Sequence, residues 1–139
     1  MFDCEEALRW IKHSKYTLES AKTDLENNFY SWACFKSHQV AEYALKSILR
    51  GAGLESYGHD LLDLWRKAKE ICNALEEQYQ CIILLNKMYI PTRYPDAWPG
   101  RALPFENYTE KDSREAISCA EKIYRLAEAC ISEACKNTT

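Results

Sequence analysis

Between Trp32 and Arg50 the residues Ala33, Cys34, Ser37, Val40, Ala41, Ala44, Leu45, Ile48 and Leu49 recur at spacings of three and four. An amphipathic surface helix carries about three to four apolar positions in two turns. This stretch has more, and most of them are small, which lets neighbouring helices come close. It predicts the central helix of an antiparallel bundle, with Lys36, Gln39, Glu42, Lys46 and Arg50 on its polar side and Gly51 and Gly53 as its stop.

The same periodicity organises most of the chain. Ala7, Ile11, Ser14, Leu18, Ala21 and Leu25 predict a first helix over about Asp3 to Asn27. Asn27 and Asn28 form the turn into the central helix, because asparagine tolerates left-handed backbone, and so short a connection makes an αα-hairpin. After a loop from Leu54 to Gly58, Asp60 is the expected N-cap of a third helix reaching Glu76 or Glu77. Leu61, Leu64, Trp65, Ala68, Ile71, Cys72 and Leu75 are its buried stripe. A fourth helix is expected from about Gln78 to Tyr89. Thr109 and Asp112 have the form of a capping box ahead of a last helix whose stripe runs from Ala116 to Ala134, with Lys136 to Thr139 fraying.

Between the last two helices lies IPTRYPDAWPGRALPF, which holds all four prolines of the chain. Proline removes a backbone donor and clashes with the preceding turn, so helix cannot continue there. The segment also carries Tyr94, Trp98 and Phe105, and disordered linkers are poor in aromatics. It is expected to be an ordered loop against the bundle, and long ordered loops are often functional. The expected fold is all-α, an up-and-down bundle of four to five helices spanning 1–139 as one domain.

Composition narrows the function classes. A net charge of −3 over 139 residues argues against a general polyanion binder. The longest unbroken apolar run, Cys81 to Leu85, is far too short to span a membrane, and the opening MFDCEEALRW has no signal-peptide pattern. Seven cysteines are scattered without any C-x-x-C, so no metal site is expected. Reduced core cysteines are the expectation, and with them a cytoplasmic location. No glycine-rich phosphate loop, ordered Ser/His/Asp set or paired-carboxylate signature is present.

Three pieces stand together in order: Tyr30 to Phe35 with Gln39-Val-Ala-Glu-Tyr-Ala-Leu-Lys46; the run His59-Asp60-Leu61; and Arg93-Tyr94-Pro95-Asp96. In this order and spacing the chain resembles a HEPN domain, over about Ala7 to Cys130. The resemblance implies a five-helix bundle, a frequent homodimer, and partnership with a separate minimal nucleotidyltransferase in toxin–antitoxin or related pairs. It also implies, for the active ribonucleases of the family, an Arg followed after four to six residues by His. Arg would stabilise charge on phosphate, and His would move protons. Here the positions after Arg93 are Trp98, Pro99 and Gly100. The expectation is therefore the non-catalytic branch, with no catalytic residues and a nucleotide or RNA as the possible ligand. The alternative is a ribonuclease toxin using Arg93 with Tyr94, Asp96 or His59 as substitute acid or base.

The candidate site residues are Arg93, Tyr94, Asp96 and Arg101, with Lys46 and His59. Guanidinium groups match phosphate oxygens bidentately, and aromatic rings stack on bases. Each has a structural alternative. Arg93 could pair with Asp96 or a helix carboxylate while Tyr94 and Trp98 pin the loop. His59 could serve backbone groups at a helix start, and Glu42–Lys46 could be a solvated pair stabilising its own helix. His38 is placed towards a cleft or a dimer partner, and His13 towards solvent. Trp10, Tyr16, Phe29, Trp32 and Tyr43 lie outside the main stripes and favour an interaction surface.

Overall fold

The structure, a computed structural model, describes residues 1–136; the expected fraying at Asn137, Thr138 and Thr139 lies outside the described residues. Among the described residues there is no strand and no helix long and apolar enough to cross a membrane. Five α-helices form: α1 Cys4–Glu26, α2 Tyr30–Gly51, α3 Leu61–Ala68, α4 Tyr79–Asn86 and α5 Glu110–Cys135. Three short 3-10 segments, Asn73–Gln78, Pro95–Ala97 and Pro104–Asn107, punctuate the connections.

α1, α2 and α5 are the long members and pack on one another, with α2 in the middle. Its Ala33, Cys34, Val40, Ala41, Ala44, Leu45 and Leu49 are fully buried, as the small-residue periodicity predicts. Ser14 on α1 donates to the Val40 carbonyl at 2.7 Å, a buried bond that fixes the hairpin register. The hairpin turns at Asn28, whose φ of 66° is the left-handed conformation expected of asparagine there. Gly51 is the last residue of α2 rather than the residue after it. A Cβ at that position would run into the Phe2 ring, so close approach explains this glycine. Gly53, with φ 74°, supplies the left-handed stop.

Asp60 caps α3 and Thr109 with Asp112 forms the reciprocal box on α5, both as expected. The third helix is shorter than its stripe implies. It ends at Ala68, and Cys72 is already non-helical at φ −118° and ψ 89°. The chain then doubles back, so that the Trp65 indole donates to the Leu75 carbonyl at 2.7 Å. Tertiary contact overrides the local pattern, and Ile71 is left exposed.

The proline-rich segment is ordered against the bundle. Trp98 donates from its indole to the Pro91 carbonyl at 2.7 Å and meets Tyr108 edge-on, so it does pin the loop. The cysteines correct the expectation of an entirely reduced set. Cys4 joins Cys135 and Cys81 joins Cys119, tying α5 to α1 at one end and to α4 nearer the other. Both partners of each pair sit on helices that the bundle places side by side, a proximity invisible at sequence separations of 131 and 38. Cys34, Cys72 and Cys130 remain free.

Candidate functional site

The polar side of α2 is not a solvated stripe. Glu42 is 2 % exposed and Lys46 7 %. The Lys46 ammonium donates to Glu42 Oε2 at 3.1 Å, and His59 Nδ1 donates to Glu42 Oε1 at 2.8 Å. His59 reaches the pair from the connection between α2 and α3. This corrects the reading of Glu42–Lys46 as an exposed helix-stabilising pair. A carboxylate accepts only, so His59 Nδ1 carries the proton and its Nε2 is the nitrogen free for other work. The His59 side chain is half exposed, so that nitrogen can meet a ligand.

His38, one turn before Glu42, is fully buried rather than directed at a cleft. Its Nε2 lies 3.1 Å from the His59 carbonyl and its Nδ1 3.0 Å from Gln39 Oε1; both partners accept, so the neutral ring donates to one of them at a time and ties α2 to the loop through the first. Gln39 in turn bonds Tyr43. Burial holds the His38 ring below its ordinary pKa, more strongly than Gln39, Glu42 and the His59 carbonyl raise it.

Tyr89, just beyond α4, closes this arrangement. His59 stacks on its ring at 4.4 Å between centroids, with planes 18° apart, and His38 lies 5.0 Å away. Arg93 uses the same ring. Its guanidinium carbon is 4.4 Å from the Tyr89 centroid, 4.2 Å from Phe35 on α2 and 4.8 Å from Tyr94. Arg93 Nε donates to the Tyr89 carbonyl at 2.9 Å, which fixes the head group. Among the described residues it makes no ion pair, so the alternative in which it pairs with Asp96 or a helix carboxylate does not hold. Ring faces carry partial negative charge and hold a guanidinium without neutralising it.

Along α2 the row continues through Lys46 to Arg50. Arg50 bonds Ser56, lies 4.7 Å over Trp10 and reaches Glu6 at 3.5 Å. Bonds from Trp10 and Arg9 hold the Glu6 carboxyl below its ordinary range. His13 is solvent-exposed, as expected, and packs 4.5 Å from Tyr43.

Of the expected site residues, Arg93, Tyr94, His59 and Lys46 converge on this face. Lys46 does so indirectly, because its ammonium is committed to Glu42. Asp96 and Arg101 are exposed on the loop and join no ion pair among the described residues. Sequence reasoning missed Phe35, Tyr89 and Glu42 as site-building residues. The first two had a signal, an aromatic beside each of two motifs already singled out; the burial of Glu42 had none.

These features define an all-helical bundle that displays an aromatic-framed arginine beside a carboxylate-anchored histidine. The HEPN domain model matches residues 7–130. The chain belongs to the HEPN domain family. Its fold superposes on TT1696 from Thermus thermophilus with a TM-score of 0.84, at 35 % identity, over 90 % of this chain and 98 % of that one. ST0689, described as an archaeal HEPN homologue, gives 0.75 at 36 % identity, over 91 % and 98 %. In sequence the chain is 26 % identical to "Putative toxin MJ1304" of Methanocaldococcus jannaschii, across 95 % of this chain and 92 % of that protein. It is 27 % identical to human sacsin over 120 residues, 82 % of this chain but about 3 % of sacsin's length.

Proposed function

We propose that this is a non-catalytic HEPN protein that binds a phosphate-bearing nucleotide on the Arg93 face and works as the partner of a minimal nucleotidyltransferase. One observation carries the reading: Arg93 is held among Phe35, Tyr89 and Tyr94 with Nε engaged and, among the described residues, without a neutralising carboxylate. Such a guanidinium presents its remaining donors to an anion, in the fork that suits phosphate. His59 Nε2 beside it, an acceptor in this tautomer, can take a hydrogen bond from a ribose hydroxyl or base N–H, and Tyr94 is exposed enough to stack on a base. The overall charge of −3 favours a small ligand bound locally over a long polyanion. The toxin name of the archaeal relative supports a toxin–antitoxin setting, in which the chain would act as a cytoplasmic homodimer.

The test is titration of ATP and short oligonucleotides into wild type and Arg93→Lys, with melting curves on both. Binding in wild type that weakens with salt and is lost in an equally stable variant supports the site. Absence of binding in wild type overturns it. Co-purification of the chain with the product of an adjacent nucleotidyltransferase gene, with and without ATP, tests the partnership.

A second reading has its own observation. Glu42 fixes the His59 tautomer as a carboxylate fixes a catalytic imidazole, and Arg93 shares the Tyr89 ring with it. Two distant segments thus supply an Arg and a His that the R-x4-6-H spacing lacks. RNA cleavage by the purified protein, abolished by either Arg93→Ala or His59→Ala, would establish the ribonuclease in place of the binding module.

A further inference from the structure

On the opposite side of the connection after α3, a cavity of about 450 Å³ opens between that connection and the second half of α5. Its walls are mostly apolar, with Ile48, Ile71, Leu126 and Ile131 among them, and both Cys72 and Cys130 line it. The two thiols are close enough to perturb each other, and Cys72 Sγ donates to the Leu126 carbonyl of α5 at 3.8 Å. We propose that Cys72 and Cys130 are a reactive dithiol that undergoes thiol–disulfide exchange with disulfides of low-molecular-weight thiols entering this cavity.

The surroundings distinguish the two sulfurs. The Cys130 thiol first, and then the backbone at Ala74 and Leu75, hold the Cys72 thiol down to about 7 against its burial. Cys130 is pushed up, first by Cys72 and then by burial. Cys72 is buried and is reached only through the cavity, whereas Cys130 is partly exposed; in the exchange Cys72 acts as the thiolate and Cys130 as the resolving thiol. Cys72 thiolate attacks one sulfur of RSSR, forming Cys72–S–SR and releasing RS⁻. Cys130, deprotonated as it attacks, displaces the second RS⁻ and forms the Cys72–Cys130 disulfide; the two thiolates leave as RSH after taking up the protons of the two cysteines. The oxidant is the small disulfide, which is reduced as the pair is oxidised. The product would tie the 69–72 turn to α5, already tied to α1 and α4. Cys34 is an internal control: it does not line this cavity, and burial pushes its thiol up to about 12.

The experiment uses the full chain with its two disulfides intact. It is incubated with oxidised glutathione, unfolded in iodoacetamide and mapped by mass spectrometry. The expected result is the loss of two alkylatable thiols, a linked Cys72–Cys130 peptide pair, and an alkylated Cys34. In Cys130→Ser, one glutathione should be trapped on Cys72; in Cys72→Ser, Cys130 should stay unmodified. Three alkylated cysteines in treated wild type would overturn the proposal. So would glutathione appearing on Cys34, or on Cys130 in the Cys72→Ser variant. The wild-type map decides the matter even if a variant fails to fold.

Discussion

Glu42–Lys46 on α2 and Glu110–Arg114 on α5 have the same i, i+4 spacing, an acid one turn before a base, in good helix. The second pair is what the spacing suggests: its side chains are 55 % and 64 % exposed, and it sits in water at 2.8 Å. The first is enclosed, with Glu42 bonded to Lys46 and to His59 from a different part of the chain. Nothing within either helix produces that difference. It comes from the loop after α2, which returns to lay His59 over Glu42, and from Tyr89, which stacks on His59. A local charge pattern specifies that a pair can form; tertiary cover decides what the pair is for. On α5 it is surface decoration, and on α2 it is the foundation under a candidate binding face.

The contrast is broken most forcefully at Glu42. Glu42→Ala strands a buried ammonium and unhooks His59, and removing one member of a buried pair costs about 3–5 kcal/mol. Denaturant unfolding should show a loss of that size; a change under about 1 kcal/mol would mean that the pair behaves as an exposed one. The apolar side of the same helix gives the yardstick. Leu45 is fully buried, so Leu45→Ala should lose about 2–5 kcal/mol in the same measurement.

A smaller effect should appear with pH. His38 lies in the same enclosure, and its folded pKa is lowered chiefly by burial from the ordinary 6.5. Below that value the unfolded ring takes a proton that the folded ring still refuses, so stability falls as the solution is acidified. Melting temperatures from about pH 7.5 downward should decline through this window, and His38→Gln should flatten the decline. The smallest effect belongs to α5: Glu110→Ala should cost about 0.3–0.5 kcal/mol, fading with added salt.

The helical frame was legible because its information is local. Apolar spacing located α1, α2 and α5, Asp60 and Thr109 signalled helix starts, and Asn28 signalled the hairpin. The early end of α3 was not legible. No glycine or proline marks residues 69–72, and the break depends on Trp65 finding the Leu75 carbonyl. The disulfides were illegible for a related reason, since only the assembled bundle brings Cys4 to Cys135. At the site, the RYPD segment identified Arg93 but not its setting. The expected choice was between a phosphate ligand and an ion-paired anchor. The structure shows an arginine anchored by aromatic rings and one carbonyl, which frees it from the carboxylate that the structural alternative required.

The central claim is that a nucleotide binds with its phosphate at Arg93 and beside His59, and the most direct measurement is NMR of the histidine rings and arginine Nε–H groups during an ATP titration. Saturable shifts are predicted at Arg93 Nε–H and at the exposed His59 ring, with Arg114 and Arg125 of α5, each paired to its own helix, unmoved. Shifts that spread evenly over the surface arginines, or none at all at millimolar ATP, would contradict it.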